Sequence, residues 1–215
     1  MKKGKIMTWD IEEVERNLKK AFDENSEQKL LDLLKKNTFL FYELVERKYT
    51  MQPIFHEVEF GNKYRCDFLW LSDRSDYPQW VLVEIEKPQG TLFNQNKSVS
   101  NYLKKGIEQV DNWRRYFAEY PSEKERIFKA KNLKFRYILI IGNKEEWEKT
   151  EFSKNWRAYN DKKIEIRTMD VFKRAIENFK KNPKEFFCFE ENPITKNSKE
   201  LEEYIEKNSF TRFLG

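Results

Sequence analysis

The stretch Trp80-Val81-Leu82-Val83-Glu84-Ile85-Glu86-Lys87-Pro88 limits the folds open to this chain more than any other. It reads as a buried strand of apolar and β-branched residues that runs into three charges and a proline. Side chains alternate along a strand, so Leu82, Glu84 and Glu86 share one face and Val83, Ile85 and Lys87 the other. Two carboxylates then project side by side from the end of a buried strand. Without a partner they repel each other and resist desolvation. A divalent cation relieves both problems, because hard cations take oxygen ligands.

A second strand, Tyr64 to Leu71, precedes this one, and the polar connector from Ser72 to Gln79 suits an antiparallel hairpin with a loose loop. Asp67 on that strand is expected to face Glu84 and Glu86. An Asp on one strand, Glu-x-Glu on the next and an adjoining Lys make a metal-site constellation. The same charges also suit a solvated strand face.

The rest of the chain supplies a frame. Residues Thr8 to about Glu24 read as a helix with Asp10 as a cap and Ile11, Val14, Leu18 and Phe22 at helical spacing. Asn25 or Ser26 caps a second helix to about Lys36, and Phe39 to Val45 continues as helix or short loop. Ile54 to Phe60 is the first strand, turning at Gly61-Asn62, and the strand that organises the chain runs from Trp80 to Lys87. After a polar loop, Ser98 or Ser100 caps a long helix to about Tyr120. Its inward face carries Tyr102, Leu103, Gly106, Gln109, Val110 and Trp113, so Gly106 implies close packing and Gln109 a buried amide in need of a partner. A short helix (Ser122 to Ala130), a strand (Phe135 to Ile141), a helix (Glu145 to about Tyr159), a strand (Lys163 to Arg167) and a helix (Asp170 to Lys181) follow. The tail from Pro183 has a helical portion at Ser198 to Lys207 and an apolar end, Phe210 to Leu214. The order α-βββ-α-β-α-β-α predicts an α/β (α+β) fold with one mixed sheet flanked by helices. Residues 1–25 are expected as a helical extension, 26–182 as the main domain and 183–215 as a tail.

Composition narrows the function. Charged residues are 37% and apolar ones 39%, and no apolar run is long enough to cross a membrane. The basic start, Met1 to Lys5, is not followed by an apolar signal core. Cys66 and Cys188 give no disulfide framework, and a cytoplasmic location is expected. His56 is the one histidine, which argues against nucleases built on several histidines and against a Ser-His-Asp hydrolase. It suits a hydrogen-bonded structural role. No phosphate-cradling glycine loop is present. The net charge of +5 is modest. Local clusters (Lys104-Lys105, Arg114-Arg115, and Arg126, Lys129, Lys131, Lys134 and Arg136) lie among aromatic residues whose rings stack on unpaired bases. Each cluster taken singly is better read as a solvated helix face.

Asp67 followed by Glu84-Ile85-Glu86-Lys87 resembles the PD-(D/E)xK nuclease superfamily. The run from about Glu27 to Phe172 resembles the Shedu anti-phage nuclease domain. The similarity lies in Glu57-Val58-Glu59-Phe60-Gly61 leading to Asp67-Phe68, then Val83 to Pro88, and then Ser98-Val99-Ser100 opening a helix with Gly106-Ile107-Glu108-Gln109-Val110-Asp111-Asn112-Trp113. It continues in Leu139-Ile140-Ile141-Gly142 and Ile164 to Asp170. The resemblance implies a restriction-endonuclease-like fold and a metal-dependent endonuclease, more often on DNA than on RNA, in antiviral defence. It implies Mg2+ or Mn2+ held by Asp67, Glu84 and Glu86, Gln109 and Glu27 beside the centre, and assembly into homo-oligomers. One departure stands out. The superfamily motif places lysine two residues after the glutamate, where this chain has Glu86, and Lys87 comes one later. Either Lys87 swings in where Pro88 ends the strand, or Glu86 acts as ligand and base. The alternatives are a non-catalytic nucleic-acid-binding module with the same fold and an assembly subunit whose charges are only surface.

Overall fold

The structure is a computed structural model that describes residues 9–46, 52–61, 63–72, 78–130, 133–160 and 164–207. The basic start, Asn62 of the turn, most of the connector between the second and third strands, Lys131, Lys163 and the apolar end lie outside the described residues.

Helix α1 (Ile11–Asp23) begins where the side chain of Asp10 accepts the Glu13 N–H, and α2 (Glu27–Lys36) where Ser26 accepts the Lys29 N–H. Both caps satisfy first-turn donors that a helix cannot bond internally. The segment after α2 is a buried 3-10 turn, Thr38–Phe41. Strands β1 (Phe55–Phe60), β2 (Tyr64–Ser72) and β3 (Gln79–Ile85) form an antiparallel meander. The long helix α3 (Asn101–Glu119), capped by Ser100, and the short α4 (Pro121–Phe128) then cross to β4 (Lys134–Ile140), which runs parallel to β3. Pro121 opens α4, where its missing N–H costs nothing. Helices α5 (Lys144–Glu148) and α6 (Glu151–Asn160) lead to the three-residue β5 (Glu165–Arg167), parallel to β4. The single helix expected over 145–159 divides here because Thr150 and Ser153 exchange backbone-to-hydroxyl hydrogen bonds and start a new helix. Helix α7 (Asp170–Lys181), a 3-10 turn, α8 (Phe187–Glu190) and α9 (Ser198–Lys207) complete the chain.

The sheet order is β1-β2-β3-β4-β5, a mixed α/β architecture with helices on both faces, as expected. Strand β3 lies between one antiparallel and one parallel neighbour and is buried along its whole length. Its even and odd residues go to two different cores. Val81, Val83 and Ile85 join Phe68, Trp70, Ile138 and Ile140 under α1, α2 and α7. Trp80 and Leu82 join Leu69, Leu71, Leu139, Val110 and Trp113 under α3. A strand covered on both sides must be apolar on both sides, which accounts for the unbroken run of apolar residues.

The segments expected as an extension and a tail are built into these cores. Val14, Leu18 and Ala21 of α1 and Phe186 and Phe189 of the tail enter one, and Leu201 and Ile205 of α9 the other. Residues 195–196 also cover the β1 edge. The His56 N–H donates to Lys196 O, and the Lys196 N–H donates to Ile54 O, each at 2.8 Å. His56 Nδ1 lies 2.8 Å from Thr195 Oγ1, the hydrogen-bonded structural role expected for it. Among the described residues no helix is long and apolar enough to cross a membrane.

Candidate active site

The site lies where the β2–β3 pairing runs out. The ladder pairs Phe68 with Val83 as its last rung, which leaves Asp67 opposite Glu84. On the other side of β2 the ladder pairs His56 with Phe68 and Val58 with Cys66, skipping Glu57 and Asp67 between them. Glu57 has φ +51°, a left-handed conformation that a Glu rarely adopts. Both strands change face at this level. Phe55 and Val58, three residues apart, enter the same core, as do Cys66 and Leu69. Alternation therefore fails at Asp67 and does not by itself assign that side chain to a face. Instead Asp67 Oδ2 accepts the Ile85 N–H at 2.8 Å, taking the place of a ladder carbonyl.

Glu84 follows alternation to the α3 side and is 7% exposed. Gln109 Nε2 donates to its Oε1, while its Oε2 is buried with no hydrogen-bond partner among the described residues. Gln109 finds in this carboxylate the partner its amide needs, but the residue as a whole is exposed rather than buried. Its amide reaches inward from the rim of α3.

Strand β3 ends at Ile85, so Glu86 and Lys87 lie beyond it. The Glu86 N–H still donates to Ile140 O, which prolongs contact with β4. Its side chain lies against α3 at Gly106, where a Cβ would stand 2.9 Å from Glu86 Oε1 and 3.3 Å from Leu139 Cδ1. Gly106 thus leaves room for this carboxylate. Lys87 is exposed, and its carbonyl accepts the Tyr102 hydroxyl at 2.6 Å. Its backbone is pinned while its side chain is in solvent.

Glu27 is the first residue of α2, and its charge acts on Asp67, Glu84 and Glu86 alike. The corner that precedes Glu27 is tied to the site by a feature not foreseen from sequence. Gln89, beyond Pro88, donates its backbone N–H to Asn25 Oδ1 and its side-chain Nε2 to Phe22 O. The loop after β3 is thereby tied to the α1–α2 corner. A glutamine in a polar loop carries no sequence signal for such a contact.

The electrostatics follow from burial. Desolvation pushes the Asp67 carboxyl up to about 7, opposed by the Ile85 N–H and reinforced by Glu27. Burial and then Glu27 raise Glu86 to about 7, against the pull of Lys87 and Lys105. Glu84 is pushed well above the carboxylate range by burial first, then by Asp67, Glu86 and Glu27.

The donor set, all carboxylate oxygen, suits a hard divalent ion, and the orphaned Glu84 Oε2 is a buried acceptor in need of one. Yet among the described residues no group of three or more His, Cys, Asp or Glu side chains is drawn together tightly enough to hold a metal. The expected triad of Asp67, Glu84 and Glu86 stands open. Like charges repel, and Asp67 and Glu84 have each turned to a protein donor.

The basic clusters divide. Lys105 acts on Glu86. Arg114 and Arg115 share Asp111, and Arg126 is held by Glu123. Arg136 is half-buried in a bidentate pair with Glu165 and also donates to Leu44 O, so it is structural.

The family model for the C-terminal part of the Shedu protein SduA matches residues 24–172. The chain belongs to the Shedu family. That is a family of anti-phage defence proteins. The matched Shedu region begins at the α1–α2 corner and ends in the first turn of α7, and it includes every site residue named above. Comparison with curated proteins gave no match.

Proposed function

We propose that this Shedu protein is a divalent-metal-dependent endonuclease that hydrolyses phosphodiester bonds of DNA. One observation carries the reading most directly. In a chain of an anti-phage defence family, a buried carboxylate with an orphaned oxygen, Glu84, stands opposite a second, half-buried carboxylate, Asp67. Burial of like charges destabilises a fold, and such arrangements concentrate at functional sites.

Asp67, Glu84 and Glu86 would hold Mg2+ or Mn2+. When bound, such an ion supplies a Lewis acid for the phosphoryl oxygens. Gln109 orients Glu84 through its amide. Glu86, with its carboxyl raised to about 7, is matched to take a proton from water near neutral pH. Lys105 and Lys87 act on Glu86 and offset the negative charge that the carboxylates present to a phosphate. Glu86, half-buried and seated on Gly106, fits the role of base better than the exposed Lys87.

The test is conversion of supercoiled plasmid to nicked and linear forms with Mg2+, Mn2+ or chelator. Cleavage is expected with either metal and not with chelator. Glu86→Gln is expected to lower the rate by about a hundredfold, and Lys87→Met to stay within about tenfold of wild type. The reverse order would assign the base to the lysine. No cleavage at any metal concentration, with DNA binding that survives chelator, would leave the non-catalytic binding module. The open carboxylate arrangement is the observation that favours that second reading.

Gly106→Ala gives a further check. The methyl gains about 1 kcal/mol of helix propensity and is offset by its contact with Glu86. Melting is expected to move by only a few degrees. Displacement of Glu86 is expected to weaken Mn2+ binding, read by calorimetry, by roughly tenfold.

A further inference from the structure

Beyond the carboxylates the surface continues along α3 as a groove. A hollow of about 440 Å³ begins at Gln109, whose amide holds Glu84, and is lined by Lys63, Tyr64, Arg65, Lys105 and Asn112 among others. A second hollow of about 220 Å³ shares Lys63, Tyr64 and Asn112 with the first and extends it to Arg115, Tyr116 and Tyr120. The shared residues join the two into one path from the site to the end of α3.

Two features set its chemistry. Lys63, Arg65, Lys105 and Arg115 line it with Glu108 and Glu119; Arg65 pairs with Glu57 and Arg115 with Asp111, so the positive charge left for a ligand is that of Lys63 and Lys105. Lys63 and Lys105 have no ion-pair partner among the described residues, and Lys63 Nζ stands 5.7 Å from the Tyr64 ring centroid. Three tyrosines also follow one another along it. Tyr64 and Tyr116 have ring centroids 5.3 Å apart, Tyr116 and Tyr120 5.2 Å, and Tyr120 is 51% exposed. A solvent-open tyrosine at the end of a run of rings, bordered by cations, suits a chain of alternating phosphates and flat apolar rings. A duplex hides its base faces in the stack. An unpaired strand offers them, and each base stacks on any aromatic surface regardless of sequence.

We infer that the groove from Gln109 to Tyr120 binds an unpaired DNA strand. Its phosphates meet Lys63 and Lys105, and its bases meet the Tyr64–Tyr116–Tyr120 run. The inference rests on the nuclease reading for its substrate and deepens it, because it makes strandedness a determinant of substrate choice.

Binding is measured with the full chain in chelator, so the result is independent of cleavage. Fluorescence anisotropy compares a labelled single-stranded DNA with the same strand in a blunt duplex. The single strand is expected to bind at least about tenfold more tightly. Tyr120→Ala is expected to weaken the single strand by about tenfold and leave the duplex unchanged, and Tyr120→Phe to keep wild-type binding. Lys63→Met is expected to weaken both and to reduce the slope of log affinity against log salt by about 1. Tyr120 is exposed, so its variants fold, and an unchanged melting temperature confirms it. Equal affinity for both forms, or a Tyr120→Ala chain that binds single strand as wild type does, overturns the inference. If the strand preference holds and no substrate is cut with any metal, the groove stands and the nuclease reading falls. If plasmid is cut and no preference appears, the reverse applies.

Discussion

Asp67→Asn is expected to lower divalent-dependent plasmid cleavage by roughly 10²–10³-fold while the protein remains folded. The magnitude follows from losing one anionic contact to an ion that contributes several kcal/mol to the transition state. Folding survives because the amide oxygen of Asn still accepts the Ile85 N–H that Asp67 Oδ2 now accepts. Asp67→Ala removes that acceptor as well. It leaves a strand-end N–H unpaired at a cost of about 1–3 kcal/mol. The two variants therefore separate chemistry from structure: both should be inactive, and only the alanine should melt earlier. Wild-type cleavage by Asp67→Asn would remove this carboxylate from the mechanism.

Stability in chelator should fall as pH rises from 5 to 8. The ordinary values of Asp67 and Glu86 are 3.8 and 4.5, and burial raises both to about 7 in the folded chain. The folded state thus keeps protons that the unfolded state has released. That contribution is complete below about pH 4 and is lost as pH passes through 7. Each tenfold gain in proton affinity on folding corresponds to about 1.4 kcal/mol. Allowing for the partial exposure of Glu86, the two together give a loss of roughly 2–4 kcal/mol, or about 5–15 °C in melting temperature. Ion pairs such as Glu165 with Arg136, where the glutamate is held low, work in the opposite sense. The decisive curve is therefore the difference between wild type and the double variant Asp67→Asn, Glu86→Gln, in which the contributions of Glu84 and the ion pairs largely cancel, and this difference should fall as pH rises. On the proposed reading, Mn2+ should restore stability at pH 8 and do little at pH 5, where protons compete for the same oxygens. A difference curve flat with pH, or Mn2+ stabilisation equal at both, would contradict this picture of the site.

Much of the frame was readable from local pattern. The apolar run into Glu84 and Glu86 announced a central strand because burial on both faces leaves no room for polar alternation. The helical spacing of Val14 and Leu18 behind Asp10 announced α1, and the propensity penalty of Gly106 pointed to close packing where Glu86 lies. Other elements were not readable. The left-handed backbone at Glu57 and the loss of alternation at Asp67 arise from two strands adjusting to each other, and neither residue type signals it. Arg136 belonged to a basic run in sequence and to a half-buried pair with Glu165 in space. Gln89 gave no hint that it ties its loop to Phe22 and Asn25.

By itself the sequence determined which carboxylates stand near the ends of which strands and which family the motif resembles, because strand periodicity and turn chemistry act over a few residues. Only the tertiary structure decided what those carboxylates meet. Glu84 faces Gln109 across 25 positions, Asp67 takes the N–H of Ile85, Glu27 arrives with α2, and Lys87 turns to solvent beyond the end of β3. Each of these depends on register and packing between elements distant in the chain, which no local pattern encodes.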